Sequence, residues 1–239
     1  MKTYRMNAVM TGVLYFLGTV FGVLGAVIGG QVLQSLISGQ PLAGVDILSL
    51  AAADAPRLSG GAFLTLMMGV SLVVMTVFLY PVIRKASQEL ALAMVLFRGA
   101  LEGIFYFLST LSILTLVAVG EEYVSTGANS AVLQTIGRVL YQFEDLKDPV
   151  GSIIFLIGAT CIYLSFYRTR LIPRWLSIWG FVAVAASMAS ALLNFFHIET
   201  GFGFYLEMVM FPQELAMAVW LIARGFNPSA LASLSAKTA

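Results

Sequence analysis

Arg98 and Glu102 stand four residues apart in the segment LFRGALEGIF, inside a run that is otherwise apolar from about Leu90 to Val119. A guanidinium and a carboxylate at that spacing share one face of a helix and can pair. A second apolar run, near the carboxyl end, carries Glu207, Gln213 and Glu214, with Pro212 among them. Charges at bilayer depth cost ~2.5–3.5 kcal/mol each on insertion scales, so they turn inward and find partners. Counted along helices that rise ~1.5 Å per residue, Glu102 and Glu214 fall at similar depth, near the middle of their segments. Arg98 lies about one turn from Glu102, and Glu207 about two turns from Glu214. Arg98 could therefore bond both Glu102 and Glu214, provided that the two segments touch. Pro212 removes a backbone N–H and leaves the Met208 carbonyl without its helical partner, which predicts a kink beside Gln213 and Glu214. Gln142, Asp148, Asn194 and His197 would extend the polarity to one side.

Three kinds of chemistry fit such a polar node. One arginine against two or three carboxylates is an unequal charge count unless a carboxyl is protonated or another cation binds. The node could thus hold a small molecule, an ion or a proton. Alternatively it is a salt-bridged clasp in a structural or partner-binding membrane protein. The least favoured reading is an intramembrane enzyme with paired carboxylates as acid and base. No Ser–His pairing and no glycine-rich phosphate loop supports it, so no catalytic residue is assigned. His197 is the only histidine and Cys161 the only cysteine, which rules out an internal disulfide, a multi-histidine zinc site and bis-histidine haem ligation. No metal site and no cofactor is expected; Glu102, Glu207 and Glu214 form the one carboxylate set that a metal could use.

The elements that must position these residues are membrane helices. The chain has 239 residues, 59% hydrophobic and only 10% charged. A soluble domain carries about a quarter charged residues, so this chain could not cover its surface with polar groups. Apolar segments at 6–33, 61–83, 90–119, 149–167, 175–196 and 204–223 each approach the ~20 residues that cross a hydrocarbon core. With no water to satisfy backbone groups, helices are the expected form. The reading is a single all-α domain over 1–239, a polytopic six-transmembrane-helix bundle whose partner is the lipid bilayer. A net charge of +1 argues against a nucleic-acid surface. The segment after MKTYR is far longer than the ~7–15 apolar residues of a signal core, so a retained helix is expected.

Basic residues set the orientation. Lys2 and Arg5, Arg84 and Lys85, Arg168, Arg170 and Arg174, and Arg224 and Lys237 fall on one side. The other side holds Arg57, Arg138 and Lys147 among the acids Asp46, Asp54, Glu121, Glu122, Glu144, Asp145, Asp148 and Glu199. Positive residues mark the cytoplasmic face, so both termini should lie inside. Two outer connections are long. Residues 38–60 are rich in Gly, Pro, Asp and Ala, and 120–148 encloses SAVLQTIGRVLYQF, with Val132, Ile136, Val139, Leu140 and Phe143 at roughly helical spacing. That spacing predicts a short amphipathic helix, at the outer interface or packed on the bundle. Gly18, Gly22, Gly25 and Gly29 in the first segment suit close helix packing. LAMVLF in the third segment and LEMVMF in the sixth are a faint echo of one another.

The segments LYPVIRK, FRGALE, YRTRLIPRWLSIWG and QELAMAVWLIARGFNPSA resemble a bacterial membrane family, domain of unknown function 4386. The likeness runs in order from TGVLYFLGTV to GFNPSA, nearly the whole chain. It implies a bacterial six-helix inner-membrane protein in which Arg98, Glu102 and Glu214 match polar positions of the family. It implies no reaction, substrate or cofactor. Protein partners, oligomeric state and the ligand itself are not encoded in any motif.

Overall fold

The computed structural model describes residues 2–38, 46–198 and 200–237. Among these residues all regular structure is helical and no strand occurs. Six stretches are long and apolar enough to cross a membrane: Tyr4–Ile28, Ala55–Ile83, Gln88–Ser125, Ala131–Thr169, Arg174–Phe195 and Tyr205–Ala223. Each overlaps one expected segment, so the chain is an all-α protein with six candidate spans. Residues 39–45 of the first long connection, and Glu199, lie outside the described residues.

In chain order the helices are α1 (Lys2–Ile28), α2 (Gly30–Ser38), α3 (Ile47–Ala53), α4 (Ala55–Ile83) and α5 (Gln88–Met94). A π-helical segment, Val95–Leu101, comes next. Then come α6 (Glu102–Ser125), α7 (Ala131–Thr169), α8 (Arg174–Phe195), α9 (Gly203–Glu207), α10 (Met210–Ala223) and α11 (Pro228–Lys237).

Three features depart from the expected layout. The first apolar segment is divided at Gly29, because Gly30, which opens α2, takes a positive φ of 72°, a conformation that suits glycine. The sixth is divided rather than kinked: α9 ends at Glu207 and α10 begins at Met210. Pro212 lies in the first turn of α10, where a missing N–H is tolerated, and its ring is incompatible with a helical carbonyl at Met208. The break therefore falls four residues before the proline. Finally, 131–169 is one helix of 39 residues with Pro149 inside it, so the expected separate amphipathic helix is instead its first part. Its buried side is also turned from the expected one. Leu133, Leu140 and Tyr141 pack inward, whereas Val132, Ile136, Val139 and Phe143 are exposed.

The chain forms two compact units. One combines Val20–Gly69 with Ile104–Asp148. Its core gathers Val32, Leu33, Leu48, Leu58, Ile113, Leu116 and Tyr123. Gly25 and Gly29 of the first span meet Gly61 of α4 so closely that a Cβ on Gly61 would lie 2.8 Å from the Gly29 Cα. The glycines of the first span thus serve helix packing. Asp46 caps α3, its carboxylate accepting from the N–H groups of Leu48 (3.2 Å) and Ser49 (3.5 Å) and from the Ser49 hydroxyl (2.7 Å). Slight burial pushes the Asp46 carboxyl up, but these bonds outweigh it and hold the group below its ordinary value.

The other unit combines Met1–Thr19, Val70–Gly103 and Pro149–Ala239. Leu156, Ala183, Ala191 and Met210 form part of its core, with α8 packed against α9 and α10. Phe166 and Phe226 meet with tilted rings, 6.0 Å between centroids, and the Asn227 N–H donates to the Leu171 carbonyl at 2.8 Å. Arg5 donates to the last carbonyls of α10, those of Ile222 (2.9 Å) and Ala223 (3.2 Å). A cation at a helix carboxyl end offsets the unsatisfied carbonyls there.

Candidate functional site

Arg98 sits in the middle of the π-helical segment and is only 2% exposed. Such segments are rare and brief, and they cluster at functional sites. Two glycines leave room for this one. Gly158 of α7 lies against the Arg98 backbone, and a Cβ there would come within 2.7 Å of its nitrogen. Gly99 lies against Thr76 of α4, whose hydroxyl would be 2.8 Å from an added Cβ.

The guanidinium reaches two carboxylates. Nη1 donates to Glu102, the first residue of α6, and Nη2 donates to Glu214 of α10 at 3.0 Å. The third and sixth spans therefore meet at Arg98. Aromatic faces complete its surroundings: the guanidinium carbon lies 4.3 Å from the centroid of Phe155 and 5.3 Å from that of Tyr15. Both rings face the cation with their π-electrons, an attractive arrangement in a dry site. Next to this pair, Tyr163 of α7 donates to Gln213 Oε1 at 2.6 Å, and Gln213 Nε2 donates to the Leu176 carbonyl of α8 at 3.1 Å. Gln213 and Tyr163 are fully buried. The group draws on residues of α1, the π segment, α6, α7, α8 and α10, and these residues, Tyr15, Arg98, Glu102, Phe155, Tyr163, Leu176, Gln213 and Glu214, all lie in one compact unit.

Exposure separates the carboxylates. The side chain of Glu102 is 4% exposed, that of Glu214 16%. Glu214 is thus the less enclosed member of the pair. Two carboxylates on one guanidinium leave one negative charge in excess if both ionise, and low dielectric makes that charge costly.

Glu207 is elsewhere. It ends α9 as an exposed residue and accepts from Ser190 (2.8 Å) and Asn194 (3.5 Å) of α8. Pro212 immediately precedes Gln213 in α10 and sets where the sixth span breaks. His197 and Gln142 are exposed, while Asp148 pairs with Lys147 at 2.5 Å in the other unit. Among the described residues no three His, Cys, Asp or Glu groups are placed to hold a metal ion, so the carboxylate set imagined from sequence is not assembled.

Some members of the polar interior carried no warning in the sequence. Tyr15 and Tyr163 lie in apolar runs as two tyrosines of nine. Their one signal is chemical: a buried phenol needs a hydrogen-bonding or charged neighbour. A second polar cluster joins Glu144 and Lys147 of the second long connection to Ser109 of the third span. In the unit that holds α3, Ser109 donates to Glu144 Oε2 at 2.6 Å, and Lys147 lies 3.2 Å from the same oxygen. Glu144 is 4% exposed.

Residues 10–225 match the family model described as Domain of unknown function (DUF4386). No curated protein and no solved structure matches the chain. The matched stretch takes in every residue of the node, from Tyr15 to Glu214, and so most of the protein: the chain belongs to the family of domain of unknown function 4386.

Proposed function

We propose that this membrane protein handles a proton or a small cation at the Arg98–Glu102–Glu214 node. The observation that carries the reading is one guanidinium shared by two carboxylates, of which Glu214 alone has partial access to the surface. A site with one excess acid must take up a positive charge to become neutral, and a proton is the smallest. Tyr15, Tyr163 and Gln213 crowd the same region, which favours an ion or proton over a bulky ligand. We further place the protein in a bacterial inner membrane with both termini cytoplasmic, on the strength of the basic residues and the family resemblance.

Infrared difference spectroscopy of the purified protein tests the proposal. A pH step should produce a protonated-carboxyl band that disappears in Glu214→Gln and persists in Glu207→Gln. A band unchanged in both Glu214→Gln and Glu102→Gln, with both variants folded, removes the node as the exchanging site.

A specific feature favours a second reading, in which the charges only clasp helices together. Arg98 is almost sealed, bonded through one terminal nitrogen to Glu102 of its own span and through the other to Glu214 of the sixth. On that reading Glu102→Gln and Glu214→Gln would both lower stability, and no carboxyl band would titrate.

A further inference from the structure

A cleft of about 620 Å³ opens between the turn before α8 and the turn joining α10 to α11. Arg170, Arg174 and Arg224 line it together with Trp220, and no acidic residue does. All three arginines are exposed, and among the described residues none is in an ion pair with a carboxylate. Arg174 is steadied by the ring of Tyr167, 5.0 Å from its guanidinium carbon. Arg170 is held in an unusual backbone conformation, with φ at 56°. Three arginines lining one cleft without a carboxylate among its walls give it a positive potential, which an anion would neutralise.

A second hollow of about 440 Å³ adjoins the first and shares Trp220 and Arg224 with it. Its other walls are Leu215, Ala216, Val219 and Ala223, along the face of α10. Basic cleft and apolar groove are therefore continuous. Trp175 and Trp179 stack nearby at 6.5 Å, and tryptophan gathers where membrane meets water. A soluble anion would use the arginines and have no need of the groove. A phospholipid would use both.

We propose that this surface is a binding site for an anionic phospholipid. The headgroup phosphate lies among Arg170, Arg174 and Arg224, and an acyl chain runs along Leu215, Val219 and Ala223. Guanidinium forks suit phosphate oxygens, and basic recesses at the edge of membrane helices take acidic headgroups.

Native mass spectrometry of the full-length protein in neutral detergent reads retained lipid directly. Phosphatidylglycerol should be retained and should raise the unfolding temperature, whereas phosphatidylcholine with identical chains should do neither. Each arginine-to-glutamine change in the cleft should weaken retention by about fivefold. Arg168→Gln, outside the cleft, should leave retention unchanged. Should a combined variant fail to fold, Arg224→Gln alone decides. Equal retention of both lipids, or phosphatidylglycerol held undiminished by Arg224→Gln, overturns the proposal. Inorganic phosphate stabilising as well as phosphatidylglycerol would assign the cleft to a soluble anion and also overturn it.

Discussion

Taking away the Arg98 guanidinium leaves Glu102 and Glu214 without their shared counter-charge, in a site walled by Tyr15 and Phe155. Breaking one side of a buried ion pair costs about 3–5 kcal/mol in soluble proteins. Arg98→Ala should therefore unfold at a clearly lower temperature in detergent, and Glu102→Ala should do the same. Thermal unfolding of purified variants checks this, and wild-type stability in either would count against a clasp of any kind. At this scale the sequence was legible where charge met apolar surroundings: Arg98, Glu102 and Glu214 stand out for that reason alone. Glu207 stood out equally, yet depth counted along an unbroken helix could not foresee the interruption at Met208 and Val209. Tyr15, Phe155 and Tyr163 were hidden because aromatic side chains are ordinary filling in a membrane helix. Glu144 was hidden because Pro149 suggested a helix start, and the helix runs straight through it.

The helices position the node by irregularity. The third span changes to π geometry at Val95, and the sixth is interrupted at Met208 and Val209. Both sites fall within the echoed segments, LAMVLF ending at Phe97 and LEMVMF at Phe211, each just before node residues. Helix existence and approximate span were readable from hydropathy, since a long apolar run in lipid has no alternative form. The π segment was not, because the surface it fits, Gly158 against the Arg98 backbone, comes from a distant part of the chain. A Cβ at 158 would meet the nitrogen, Cα and Cβ of Arg98 at 2.7–3.0 Å, and a backbone cannot swing aside. Gly158→Ala should cost about 1–3 kcal/mol through overpacking, despite the better helix propensity of alanine. Gly60→Ala, whose nearest neighbour would be a side-chain carbon at 3.6 Å, should be neutral or stabilising. Melting temperatures of the two variants measure the contrast.

On the scale of the whole chain, the arrangement of basic residues gives a topology that can be tested without knowing the activity. In a Cys161→Ser background, a membrane-impermeant maleimide applied to intact cells should label Thr126→Cys and spare Ser233→Cys; both positions are exposed. Labelling of Ser233→Cys alone would reverse the orientation that the arginines imply. The node and the arginine cleft belong to one compact unit, and the Glu144 cluster to the other, a division that hydropathy gave no hint of because four of the helical spans contribute to both. Rewinding the π segment, residues 95–101, as ordinary α-helix would rotate α5 against α6 by roughly 100°, one residue's share of a turn. Ala91 and Met94 on one side, and Glu102 and Gly103 on the other, are all buried and could not stay so through such a twist. Dropping one residue during that rewinding would cancel the rotation, so the stretch between Met94 and Glu102 holds one residue more than an α-helix needs to join two seated neighbours, and Arg98 lies at the centre of that surplus turn.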